Sequence, residues 1–174
     1  IIFLKFNFSF IFFFFWTINI FCQKEYLGLQ HWEIPSKNPD RIVSTFHGDP
    51  SSSRAVTWRT DRTVNESVAQ ISEATENSNF TISLKDFQAT TEPFDLGKYK
   101  GNNSFKVNYH SVIFKDLKPN TTYLYRVGDG KFYWSEWIQF TTAKKEYSKT
   151  KFVYFGDSQN NVLSQWSRVI RTVS

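Results

Sequence analysis

The chain is 174 residues long, 40% hydrophobic and 19% aromatic, with a formal net charge of +5. That length allows one ordinary domain with additional segments, and the single cysteine excludes a scaffold held by internal disulfides. The basic residues are spread through Lys85, Lys98, Lys115, Lys118, Lys144 and Lys145, a mild scattered excess that argues for solubility and against dedicated nucleic-acid binding.

The sequence contains no methionine, so Ile1 is not expected to be a translation start, and the chain reads as a fragment open at both ends. Residues 1–22 hold nine of the nineteen phenylalanines and one charge, Lys5. A basic residue followed by an apolar core from Phe6 to Phe21 predicts a secretory signal peptide, with cleavage after Cys22 leaving Gln23 as the mature start. The rival reading is a membrane anchor, because the apolar run is close to spanning length. A lipoprotein site at Cys22 is disfavoured by the bulky Phe21 before it. The implied location is secreted, extracellular or periplasmic, with membrane contact only through an uncleaved signal segment. Beyond residue 22 four Asn-x-Ser/Thr sequons occur, at Asn65, Asn79, Asn102 and Asn120; they are glycan candidates in a eukaryotic secretory route and chance occurrences in an asparagine-rich bacterial chain.

Residues 23–38 are expected to form an irregular lead-in, since Pro35 and the following Pro39 block regular structure. The next hundred residues alternate with the period of two that marks half-buried strands. Arg41–Phe46 is one run, and Gly48–Ser53 is a turn-rich break. Arg54–Thr60 follows, with Val56 and Trp58 predicted on one face and Thr57 and Arg59 on the other. Further predicted strands are Val68–Ser72, Phe80–Leu84, Asn108–Phe114, Tyr123–Gly128 and Trp137–Thr141. Short strands separated by turn signals point to an antiparallel sandwich.

Leu117-Lys118-Pro119-Asn120-Thr121-Thr122-Tyr123 sharpens this into a fibronectin type III-like sandwich. Leucine, proline, threonine and tyrosine at steps of two resemble the tyrosine corner, in which the tyrosine hydroxyl bonds to backbone upstream. Trp58 is then expected to be the buried tryptophan of an early strand. Such a fold carries no functional information by itself.

Residues 144–150 read as a charged, polar linker. Beyond them Lys151-Phe152-Val153-Tyr154-Phe155 is a continuous apolar run that predicts a buried strand. It enters Gly156-Asp157-Ser158-Gln159-Asn160-Asn161, which would place Asp157 at the carboxyl end of a strand, where open α/β sheets bind their ligands. Leu163, Trp166, Ile170 and Val173, with Val169 beside them, recur at helical spacing, and Asn160 or Asn161 is a candidate N-cap.

In this order the segments resemble the start of a purple acid phosphatase. The opening Pro39-Asp40 and alternating strand run into Gly48-Asp49, and Arg54–Thr60 follows. His110 precedes the Leu117–Tyr123 corner, and Arg126-Val127-Gly128-Asp129-Gly130 and Phe140-Thr141-Thr142 close the domain. The resemblance covers residues 39 to 174 and implies an all-β immunoglobulin/fibronectin type III-like sandwich over 39–143. The first strand and helix of a truncated α/β metallophosphoesterase domain would occupy 151–174. It implies two metal ions, iron paired with zinc, manganese or a second iron, held mostly by residues beyond Ser174. Asp157 would be a metal ligand. Gln159 stands where the family has glycine or histidine, and is carried as a weaker candidate ligand. No catalytic residue is assigned in this chain, which is expected to be inactive alone.

The implied reaction is hydrolysis of phosphate monoesters, with two cations clamping the phosphate and activating a water. The alternatives are a non-enzymatic fibronectin-like adhesion or spacer module, and a phosphodiesterase or nucleotidase on the same scaffold, which Gln159 keeps open. The expected partner is a phosphate ester and not nucleic acid, and the sequence specifies no oligomeric state. His31, His47 and His110 are too scattered to form a site, and the latter two are expected to be structural or exposed. Trp32, Tyr133, Trp134 and Trp137 are read as filling a core or interface in preference to a sugar platform.

Overall fold

The computed structural model describes residues 33–76, 78–99, 103–147, 149, 151–156 and 165–173. The signal peptide, Cys22, His31, Trp32 and Asn102 therefore lie outside the described residues, as do Asp157, Gln159, Asn160, Asn161 and Leu163. Among the described residues no helix is long and apolar enough to cross a membrane.

Eight strands follow in chain order: β1 Asp40–Thr45, β2 Arg54–Asp61, β3 Val68–Glu73, β4 Lys85–Gln88, β5 Thr90–Tyr99, β6 Asn103–Phe114, β7 Thr122–Gly128 and β8 Ile138–Thr141. They form two four-stranded sheets, β1-β2-β6-β5 and β4-β3-β7-β8, and every pairing is antiparallel. The chain crosses between the sheets at β2–β3, β4–β5, β6–β7, which is a fibronectin type III-like, all-β arrangement.

Alternation explains the packing. Val56 and Trp58 of β2 and Val112 and Phe114 of β6 point inward from one sheet. Ala69 and Ile71 of β3 meet them with Tyr123, Tyr125 and Val127 of β7. Trp58 is fully buried, as the sequence predicts. Its indole N–H donates to Ser67 Oγ at 3.1 Å, and Ser67 donates onward to the Gly128 carbonyl at 2.6 Å. A buried indole is thereby kept from stranding its one polar atom.

The tyrosine corner is formed. The Lys118 N–H donates to the Tyr123 hydroxyl at 2.9 Å, Leu117 is buried, and Asn120 takes a left-handed φ of 50°, a conformation asparagine tolerates better than most residues. The Asn120 N–H donates to the Ala143 carbonyl at 3.0 Å, which ties the corner to the residues just after β8.

Four points differ from or add to the sequence reading. Thr57 and Arg59 share the face away from the core; Thr57 is exposed, but Arg59 is 1% exposed. Between Asp40 and Val43 the pairing with β2 slips by a residue, with Arg41 at a φ of 50°. Asp40 sits directly opposite Arg59 and grips its guanidinium, Nε to Oδ1 at 2.8 Å and a terminal nitrogen to Oδ2 at 2.5 Å. A paired charge can be buried where an unpaired one cannot.

Phe80–Leu84 is not a strand. Ser78–Ser83 coils into a 3-10 turn, where the Ser72 hydroxyl caps the Phe80 carbonyl at 2.6 Å and the Phe80 ring meets Trp137 edge-on at 5.0 Å. The short β4 begins only at Lys85. β5 went unpredicted because Pro93 and Gly97 interrupt its pattern. It is an edge strand, where a missing N–H costs no ladder bond on the open side, and its pairing with β6 shifts between Asp95 and Lys98, around Gly97 at a φ of 61°.

The fourth point concerns the run after the linker. The chain divides into two compact units, Ile1–Ala143 and Lys144–Ser174. In the second, 151–156 has no regular secondary structure, and Phe152 and Tyr154 are 86% and 87% exposed. A parallel strand is held only by neighbours on its sheet, and no described strand pairs with this one. Helix α1 spans Ser167–Val173, shorter than the predicted stripe, with Val169 and Ile170 about half exposed. Phe155 packs edge-on against Trp166 at 5.6 Å. No catalytic α/β domain is evident among the described residues.

Candidate functional site

The predicted metal ligands Asp157 and Gln159 lie outside the described residues. Among the described residues no three His, Cys, Asp or Glu side chains gather closely enough to hold a metal ion. The sandwich therefore does not fit a two-metal centre.

What the sandwich does contain is a set of buried polar side chains whose demands are met internally. His110 on β6 is fully buried and lies opposite Trp58, with ring centroids 5.5 Å apart. Its Nε2 is 2.8 Å from Thr60 Oγ1 and its Nδ1 is 2.9 Å from Thr91 Oγ1. Burial pushes its pKa down to about 4, because the charged ring would be stripped of water with no carboxylate to compensate. Two hydroxyls serve a neutral imidazole well, since each can donate or accept. With both nitrogens occupied, His110 has no lone pair to offer a metal.

The aromatic residues noted in the sequence also have partners. The Arg126 guanidinium lies over Trp134 at 4.2 Å and over Trp137 at 4.8 Å from the ring centroids. Its Nε donates to Gln70 Oε1 at 2.8 Å. Both indoles are half-buried against this cation, so they do not present an open stacking platform. Sequence reasoning missed this ladder, although Arg126 on β7 and the Trp134-x-x-Trp137 spacing were both visible. It also missed the Asp40–Arg59 pair, whose one hint was a charged residue alternating with Val56 and Trp58.

Residues 39–142 match the family model described as Purple acid Phosphatase, N-terminal domain. The chain belongs to the purple acid phosphatase family by this domain. The match covers the eight strands and stops one residue short of the end of the first unit. Solved structures similar to this purple acid phosphatase N-terminal domain include the FN1–FN3 domains of chicken CNTN1, at 19% identity over 63% of this chain and 31% of that one, with a TM-score of 0.41. The third fibronectin III domain of human KIAA0343 protein is similar over 74% of this chain and 99% of its own, at 12% identity and a TM-score of 0.39. No curated protein matches. Family membership implies metals in the full protein, and the described residues of this domain hold no donor set for them.

Proposed function

We propose that this chain is the N-terminal portion of a secreted, metal-dependent phosphatase that hydrolyses phosphate monoesters. Residues 1–22 serve as its signal peptide, and 151–174 as the entrance to its catalytic domain. The observation that carries the reading is the family match over 39–142, followed after a short linker by Gly156-Asp157. A carboxylate there suits a hard cation on the oxygen-rich side of a two-metal site.

The exposed apolar residues support the same reading. Phe152, Val153 and Tyr154 follow one another and lie open, and a contiguous apolar group of this kind marks a surface meant to be covered. A catalytic domain built from further chain would cover it. When bound, two metals would polarise the phosphate and supply an activated water. From this chain, Asp157 would hold one of them, and Gln159 stands beside it as a neutral oxygen donor. The sandwich itself takes no chemical part.

The test is to read the message past the Ser174 codon and to express the longer product. The expected outcome is a further metallophosphoesterase sequence and metal-dependent release of phosphate from p-nitrophenyl phosphate, lost in Asp157→Asn. A stop codon directly after Ser174, or another alternating β module, would leave a binding or spacer protein instead.

A further inference from the structure

Asn65 lies in the β2–β3 loop within the sequon Asn65-Glu66-Ser67, and its side chain is exposed. It lines an open groove of about 490 Å³ together with Lys37, Phe132 and Tyr133. Phe132 is 85% exposed, without any covering group. The loop that presents it is rigid by construction: Asp129 Oδ1 accepts the N–H groups of Lys131, Phe132 and Tyr133 at 2.8, 2.9 and 2.9 Å. An apolar ring held out beside an acceptor asparagine can cover the apolar face of a sugar, as aromatic side chains do elsewhere with ligands that are apolar on one face and polar at the edge.

The third residue of the sequon is in a different situation. Ser67 is fully buried, and its hydroxyl is committed to Trp58 Nε1 and the Gly128 carbonyl. The acceptor tripeptide is read through that hydroxyl. Once β3 has docked, the hydroxyl is sealed under the core tryptophan and cannot be presented to a transferase.

We propose that Asn65 is an N-glycosylation site, modified before the sandwich folds, whose first sugar then lies in the groove against Phe132. In the transfer step the Asn65 amide nitrogen attacks the anomeric carbon of a polyprenyl-diphosphate-linked oligosaccharide. The new C–N bond forms as the bond to the diphosphate breaks, and the amide gives up one proton. The inference depends on the secreted reading proposed above, taken by the eukaryotic route, and goes beyond it in naming the residue, the timing and the surface that receives the sugar.

The full chain, translated with endoplasmic-reticulum microsomes, separates the two ideas by protease protection and by mass before and after endoglycosidase. The expected result is a protected chain with a glycan on Asn65, one mass step heavier than Asn65→Gln. Folded full chain offered to the solubilised transferase is expected to stay unmodified at Asn65. A protected chain unmodified at Asn65, or equal modification of folded protein, overturns the inference alone. A chain neither protected nor modified overturns the secretory reading as well. Removing the glycan is expected to lower the unfolding temperature by a few degrees in the parent and not in Phe132→Ala. An equal loss in both would overturn the contact with the groove.

Discussion

His110 shows how a single side chain ties the two halves of one sheet together and sets a limit on pH. It is hydrogen-bonded to the Thr60 hydroxyl on β2 through Nε2 and to the Thr91 hydroxyl on β5 through Nδ1, and it stacks on Trp58. No charged group faces it in these contacts. Burial lowers its pKa from 6.5 to about 4, so the unfolded chain binds a proton that the folded one refuses between those values. Stability therefore rises with pH across that window and is lost as pH falls from about 6.5 towards 4. The shift corresponds to roughly 3 kcal/mol at most. Carboxylates also titrate near the lower end, so the informative quantity is a difference. The urea midpoint of the parent is expected to fall more steeply from pH 7 to 4.5 than that of His110→Gln, which is less stable at pH 7 but carries no titrating ring. Parallel curves would place the titration elsewhere.

At the level of elements, the β6–β7 corner is the best-defined connection in the sandwich. Tyr123 anchors it twice, through its hydroxyl to the Lys118 N–H and through its ring, 5.7 Å from Phe140. Tyr123→Phe keeps the second and removes the first, leaving a backbone donor with no partner in a partly buried turn. The expected loss is about 1–2 kcal/mol, read as a drop of roughly 4–10 °C in unfolding temperature; an unchanged melting point would mean that water replaces the hydroxyl. This corner was legible in the sequence because its residues act locally, at steps of two along one strand entry. The inward faces of β2, β3, β6 and β7 were legible for the same reason. What escaped depended on distant partners. Arg59 looks solvent-facing until the β1 slip brings Asp40 over it. Phe80 and Ile82 alternate like a strand, yet Ser72 and Trp137 hold Phe80 in a turn while Ile82 is left 84% exposed. β5 hides behind Pro93 and Gly97, which only an edge strand tolerates. Asp157 was singled out by its place at a predicted strand end and Gln159 by the resemblance alone, and both lie outside the described residues.

The whole molecule comprises a closed sandwich and a segment with unmet apolar surface. Within the first unit the core residues are supplied by both sheets, the buried polar atoms of Trp58, Ser67 and His110 are paired, and the exposed apolar residues Phe46, Ile82 and Phe132 stand singly. Isolated exposed apolar residues are ordinary on soluble domains, whereas a contiguous group is a liability or an interface. Phe152, Val153 and Tyr154 are such a group, with exposures of 86%, 55% and 87%. A polypeptide of residues 33–147 is therefore expected to unfold in one cooperative transition with a β-type far-ultraviolet spectrum, and to bind little of a dye that seeks apolar surface. Extending it to Ser174 should raise dye binding without adding a second transition, because α1 spans only Ser167–Val173 and a helix of about two turns has too few bonds to melt cooperatively. Replacing Phe152 and Tyr154 by serine should return the signal to that of the shorter polypeptide. A longer product that completes the proposed catalytic domain should silence it as well, since the same residues would then be buried. Dye binding that persists in such a product would show that the apolar run serves some other surface, and would weaken the case for Asp157 as the first ligand of a metal site.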